Sequence, residues 1–65
     1  MINVNIFLKE KRLEKGLTRK ELAEKAGVNY ITICSIENQK LTPTALTIYK
    51  LAKVLECEEE VEKFL

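Results

Sequence analysis

The 65 residues are 46% hydrophobic and 32% charged, enough for one domain at most, and a chain this short buries only about 60% of the surface its unfolded form exposes, so its stability is modest or shared with a second subunit. With no His, two Cys far from C-x-x-C spacing and no apolar run near the roughly 18 residues of a bilayer span, the composition argues against a zinc site within one chain, His-dependent catalysis and a membrane protein. Net charge is only +1, yet residues 1–53 carry ten Lys and Arg against five Glu, a net +5, while residues 54–65 carry five Glu against Lys63, a net −4.

That asymmetry of sign marks either an interaction surface or a set of solvated helix faces. The start MINVNIFLKE lacks a basic segment ahead of an apolar one, so a cytoplasmic protein is expected. For Cys34 and Cys57, two reduced thiols are favoured over a disulfide.

Along the chain, Gly16, Gly27 and Pro43 separate segments whose apolar residues recur at helical spacing. Residues 3–15 form an amphipathic helix in which Val4, Phe7, Leu8 and Leu13 alternate with Lys9, Lys11, Arg12 and Lys15, ended by Gly16 as a left-handed cap. Thr18 with Glu21 three residues on makes a capping box for a second helix over 19–25, with Leu22, Ala23 and Ala26 inward and Gly27 as its stop. Asn29 caps a third helix reaching about residue 38. Thr42-Pro43 reads as a cap followed by proline in the first turn, which predicts a fourth helix over 43–55 with Ala45, Ile48, Leu51, Ala52 and Leu55 inward. A final weak turn over 58–64 supplies Val61 and Phe64, followed by Leu65. The fold class expected is all-α: a compact bundle of five short helices in a single domain over 1–65.

On a wheel of about 100° per residue, Ile33 and Ile36 define the inward direction of the third helix. Thr32 and Glu37 flank it, Ile31 and Asn38 lie opposite, Cys34 and Ser35 occupy the outward shoulders, and Tyr30 projects sideways. The exposed face is Asn29, Tyr30, Ile31, Cys34 and Ser35, without Arg, Lys or Gln. Two short helices joined by about four residues containing Gly, as in LTRKELAEKAGVNYITICSIENQK, form a helix-turn-helix over residues 18–38.

These residues resemble the lambda-repressor-like, or Cro/CI-type, helix-turn-helix proteins, the XRE family. LKEKRLEKGLTRKELAEKAGV is similar to that family's first two helices, SIENQKLTP to its Ile-Glu-Asn-Gly-Lys segment and following proline, and LTIYKLAKVLEC to its fourth helix. The resemblance implies a DNA-binding transcriptional regulator, a repressor, acting on double-stranded DNA. One such domain makes few contacts, so a homodimer is expected; at this size neither a cofactor nor a small-molecule ligand is expected, and the absence of His and of a convergent acid-base cluster argues against enzyme activity. The resemblance implies phosphate contacts from Arg19 and Lys20 at the start of helix two and from Asn38, Lys40 and Thr42 near the following loop. It also implies a structural ion pair between Arg12 and Glu37. Gln39 departs from the family's usual glycine and is less comfortable in a left-handed conformation, which predicts a loop after helix three that is strained or differently shaped.

Within that frame the outward Ile31 fits packing against a thymine methyl group, with Asn29, Tyr30, Cys34 and Ser35 completing the expected base-reading set. Cys57 stands where the family prefers an aliphatic residue and is expected in the core. Val61, Phe64 and Leu65 are the dimer candidates, with covering the bundle core as an alternative role that is compatible with the first. The Tyr30-Ile31-Cys34 patch and the acidic end keep open a protein-interaction module on the same fold, such as an antitoxin-like or anti-repressor partner.

Overall fold

Each of the four longer helices begins at a side chain that satisfies one of its first amides. In the computed structural model, which describes residues 3–65, α1 spans Val4–Glu14, α2 Arg19–Ala26, α3 Tyr30–Glu37 and α4 Ala45–Leu55; a short α5, Glu58–Val61, runs into a 3₁₀ turn over Glu62–Phe64. The Ile6 amide donates to Asn3 Oδ1 at 2.9 Å, Glu21 to Thr18 Oγ1 at 3.0 Å, Ile31 to Asn29 Oδ1 at 2.7 Å and Thr47 to Thr44 Oγ1 at 3.2 Å. The Glu21 carboxylate also accepts the Thr18 amide at 2.9 Å, completing the reciprocal capping box. Those hydrogen bonds lower the Glu21 pKa from the ordinary carboxylate value.

Left-handed residues turn the chain after α1, α2, α3 and α4. Gly16 and Gly27 adopt φ of 70° and 67° without penalty, whereas Gln39 and Glu56 hold φ of 62° and 56° with a Cβ attached. After α2 the Val28 amide closes on Ala23 O at 3.0 Å, which makes the tight turn into α3.

The core gathers Val4, Phe7 and Leu8 of α1, Leu22 and Ala23 of α2, Ile33 and Ile36 of α3, and Ile48, Leu51, Ala52 and Leu55 of α4, closed by Cys57 and Val61. The central helix, α4, packs against α1, α2 and α5, while α3 lies against α1 and α2 on the opposite flank. No helix among the described residues is long and apolar enough to cross a membrane.

Four expectations need correction. The cap of α4 is Thr44 rather than Thr42, and Pro43 lies outside the helix with its ring buried. Pro43 and the buried Ile48 then occupy the two positions of a hydrophobic staple, which favours this start over one two residues earlier. Ala45 faces solvent as a result. Leu13 is 58% exposed because it falls opposite the buried stripe of α1, and Arg12 occupies the inward place beside it. Of the two roles expected for Val61, dimer surface and cover for the core, it takes the second: it is fully buried because α5 folds back onto the bundle.

The acidic end is partly an internal partner of α1. Glu60 lies 3.2 Å from Lys11 Nζ, and Glu56 pairs with Lys15. The Glu60 hydrogen bond raises the Lys11 pKa, and the Lys15 ammonium lowers that of Glu56. Phe64 stacks on Phe7 with ring centroids 5.1 Å apart, and Lys63 covers both rings at 5.4 Å.

Candidate nucleic-acid interface

With only eight residues, α3 depends on its neighbours for orientation. Ile33 and Ile36 anchor its inner side in the core. At its C-terminal end, where the last carbonyls lack helical partners, the buried Asn5 donates from Nδ2 to Ile36 O at 3.0 Å and to Leu41 O at 2.8 Å. One side chain of α1 therefore holds both the end of α3 and the loop that follows. Sequence reasoning missed Asn5; the available signal was a polar residue inside the stripe Val4-Asn5-Phe7-Leu8.

Glu37, the last residue of α3, meets two guanidinium groups. Arg12 Nε donates to Oε2 at 2.6 Å and Nη2 to Oε1 at 2.9 Å, a two-pronged pair in which both residues are buried. Arg12 Nη1 reaches on to Leu17 O at 2.7 Å, tying the turn before α2 to the same cluster. From α2, Arg19 Nε donates to Oε1 at 2.9 Å. Burial opposes ionisation of Glu37, but the hydrogen bonds from Arg12 and then Arg19 outweigh it and hold the carboxyl below its ordinary range. All buried side-chain polar atoms among the described residues find partners.

The outward surface of α3 is apolar at its centre. Ile31 is 70% exposed and Tyr30 49% exposed, while Cys34 and Ser35 are half-buried on the shoulders. Cys34 faces α2: Arg19 Nη1 lies 3.9 Å from its Sγ, and contact with this thiol raises the Tyr30 pKa. The residues that point freely outward are thus Ile31 and Asn38, with the half-buried Ser35 between them. The side-chain oxygen of Asn29 is used in capping, so its amide nitrogen is what remains to contact a ligand.

Cations border this face. Lys20, with Arg12, Thr18, Arg19 and Tyr30, lines a cleft at the start of α2. On the other side, Asn38, Lys40 and Thr42 are exposed in the loop after α3. Lys20 and Lys40 have no acidic partner among the described residues, in contrast to Lys11 and Lys15 on the far side of the fold. Of the dimer candidates, Phe64 is half-buried on Phe7 and Leu65 is 56% exposed. Both thiols are free, and burial raises the pKa of Cys57. No group of three His, Cys, Asp or Glu among the described residues is arranged to hold a metal ion.

Comparison with known proteins adds to this geometry. The helix-turn-helix family profile matches residues 8–61. An uncharacterized HTH-type transcriptional regulator of Methanothermobacter thermautotrophicus is 34% identical over 59 residues, covering 91% of this chain and 86% of the relative. A second protein so named, from Archaeoglobus fulgidus, is 38% identical over 53 residues, 82% of this chain and 76% of its own. A third, from Sinorhizobium fredii, is 39% identical over 44 residues, covering 68% and 57% of the two chains. No solved structure is a significant match.

Proposed function

This chain belongs to the helix-turn-helix family, of the XRE type, and on that premise we propose that it is a transcriptional regulator that binds double-stranded DNA with α3 in the major groove. The observation that carries this reading is the outward face of exposed Ile31 and Asn38 with half-buried Ser35 between them, free of charge and bordered on both sides by lysines without acidic partners among the described residues.

Lys20 and Lys40, helped by Asn38 and Thr42, neutralise backbone phosphates and supply most of the affinity. Ile31 packs against thymine methyl groups, and Ser35, Tyr30, Cys34 and the Asn29 amide line the rest of the reading surface. Discrimination leans toward A·T pairs and is modest, because methyl packing separates bases less well than a two-pronged Arg or Gln contact. A helix of eight residues covers only about 12 Å of groove. A two-fold dimer with reading helices about 34 Å apart is the natural operator-binding form. Repression by occupying a promoter, in the cytoplasm, follows as its role.

The test is a titration of binding to random duplex DNA against salt. The logarithm of the affinity is expected to fall linearly with the logarithm of salt, with a slope of about −2 or steeper per subunit for two or more phosphate contacts. A flat response ends the proposal. It would favour the second reading, a protein partner seated on the exposed Tyr30 and Ile31.

A further inference from the structure

Arg19 and Lys20 are neighbours at the start of α2, but their side chains are committed differently. Lys20 is exposed and has no acidic partner among the described residues. The Arg19 side chain is 34% exposed, with Nε on Glu37 Oε1 at 2.9 Å and Nη1 3.9 Å from Cys34 Sγ. Cys34 and Glu37 are three residues apart on one face of α3, so the arginine lies along that face rather than projecting from α2.

Glu37 already receives two N–H groups from Arg12 of α1. That pair alone neutralises the buried carboxylate. Arg19 is therefore not needed to balance charge, and its addition leaves the cluster of two guanidiniums and one carboxylate at +1. What the third hydrogen bond contributes is geometry. It joins the first residue of α2 to the last residue of α3 through a planar group whose orientation is set once Nε is engaged. Near the turn the Val28 amide closes on Ala23 O and ends α2, and the Arg19–Glu37 bond joins the far ends of the two helices.

The geometry points to Arg19 as a positioning residue, not a phosphate ligand: it sets the angle of α3 against α2, and through that angle the register of Ile31 and Ser35 in the groove. Lys20 is the phosphate contact on this side. The inference rests on the DNA-binding reading above, and it replaces the phosphate role that family resemblance implies for Arg19.

The experiment uses a duplex selected by the wild-type protein from a random-sequence pool, and a scrambled version of it. Affinity for both is titrated against salt for the wild type, Arg19→Lys, Arg19→Met and Lys20→Met, with thermal unfolding as the check on folding. The selected-to-scrambled ratio is expected to fall about tenfold in Arg19→Met, a loss comparable to one mismatched base pair. It falls similarly in Arg19→Lys, which keeps the charge and lacks the planar fork. The salt slope of both variants stays near the wild-type value. Lys20→Met does the reverse, lowering the slope by about 0.9 per subunit with the ratio preserved.

A wild-type ratio in Arg19→Lys, or a slope reduced by about 0.9 in Arg19→Met with the ratio intact, makes Arg19 a phosphate ligand and overturns the inference. If Arg19→Met does not fold, Arg19→Lys decides alone. Salt-insensitive binding by the wild type overturns the DNA-binding reading and this inference with it, whereas salt-dependent binding with discrimination unchanged in both Arg19 variants overturns the inference only.

Discussion

Glu37 does more than any other polar residue to join the helices of this molecule. Its carboxylate is buried and meets Arg12 and Arg19, so three helices converge on one side chain. Such a pair is worth little as a net gain over an apolar substitute, yet losing one partner leaves the other charged and buried. Glu37→Gln is therefore expected to lower unfolding free energy by about 3 kcal/mol, measured by chemical denaturation. Replacing Arg12 by Met in the same chain should recover much of that loss, since the guanidinium that remains, that of Arg19, is a third exposed and can turn to solvent. A double variant no more stable than Glu37→Gln alone would mean that the pair is held for reasons other than charge balance.

The same carboxyl also gives the molecule a pH signature. Its folded pKa is lowered, so the stability it contributes is complete above the unfolded carboxylate value of about 4.3 and is lost as pH falls through the lower folded value. The gap in melting temperature between wild type and Glu37→Gln should accordingly be constant from pH 7 to about 5 and narrow below about 4. A gap that widens in acid would contradict this sign. Arg12 and Glu37 were legible as a pair from family resemblance, whereas the participation of Arg19 and the two hydrogen bonds of Asn5 were not. Both depend on which side chains the packing of α1 and α2 brings to the end of α3.

Among the elements, the helices up to α3 follow their local signals closely. Thr18 with Glu21, Asn29, Gly16 and Gly27 mark boundaries through hydrogen bonds and backbone angles made within a few residues, and for that reason they could be read along the chain. The start of α4 could not, because Thr42 and Thr44 flank Pro43 with equal capping chemistry. Burial of Pro43 opposite Ile48 chose between them. The turn after α3 carries a testable strain. Gln39 holds φ of 62°, a conformation glycine adopts more readily, while its side-chain oxygen accepts a hydrogen bond from Asn3 Nδ2 at 3.0 Å. That bond is exposed and contributes little, so Gln39→Gly is expected to stabilise the fold by about 0.5–1 kcal/mol. A chain of this size should then melt a few degrees higher. A lower melting temperature would show that the Asn3 bond outweighs the backbone strain.

The molecule as a whole measures 26 × 24 × 20 Å, less than one turn of duplex at about 34 Å. A single copy presents one such helix, α3, which makes association the natural complement of the proposed function. Burial of Val61 leaves Leu65 and the outer edge of Phe64 as the part of the C-terminal end available to a second copy. Sedimentation equilibrium on the wild type should show mass rising with concentration, and Leu65→Glu should shift it toward the monomer and weaken binding to a two-half-site duplex. A wild type that stays monomeric at all concentrations, with or without DNA, would exclude this form of assembly.

The order of helices, most of their caps and the inward faces of α2 and α3 were written in local spacing, because capping and amphipathic periodicity act between residues three or four apart. The apolar character of the outward face of α3 could be read in the same way: Ile31 emerges as outward on a wheel and is the most exposed large apolar residue of α3. Contacts between residues far apart in the chain could not. The acidic end could be a partner surface or solvated helix faces, and only the fold sets Glu56 and Glu60 against Lys15 and Lys11; Val61 could serve a dimer or the core, and α5 carries it into the core. Arg19 looked like a free cation until the crossing of α2 and α3 brought Glu37 within reach. Charge and hydrophobicity are properties of a residue, but the group that satisfies them is chosen by the packing of helices far apart in sequence.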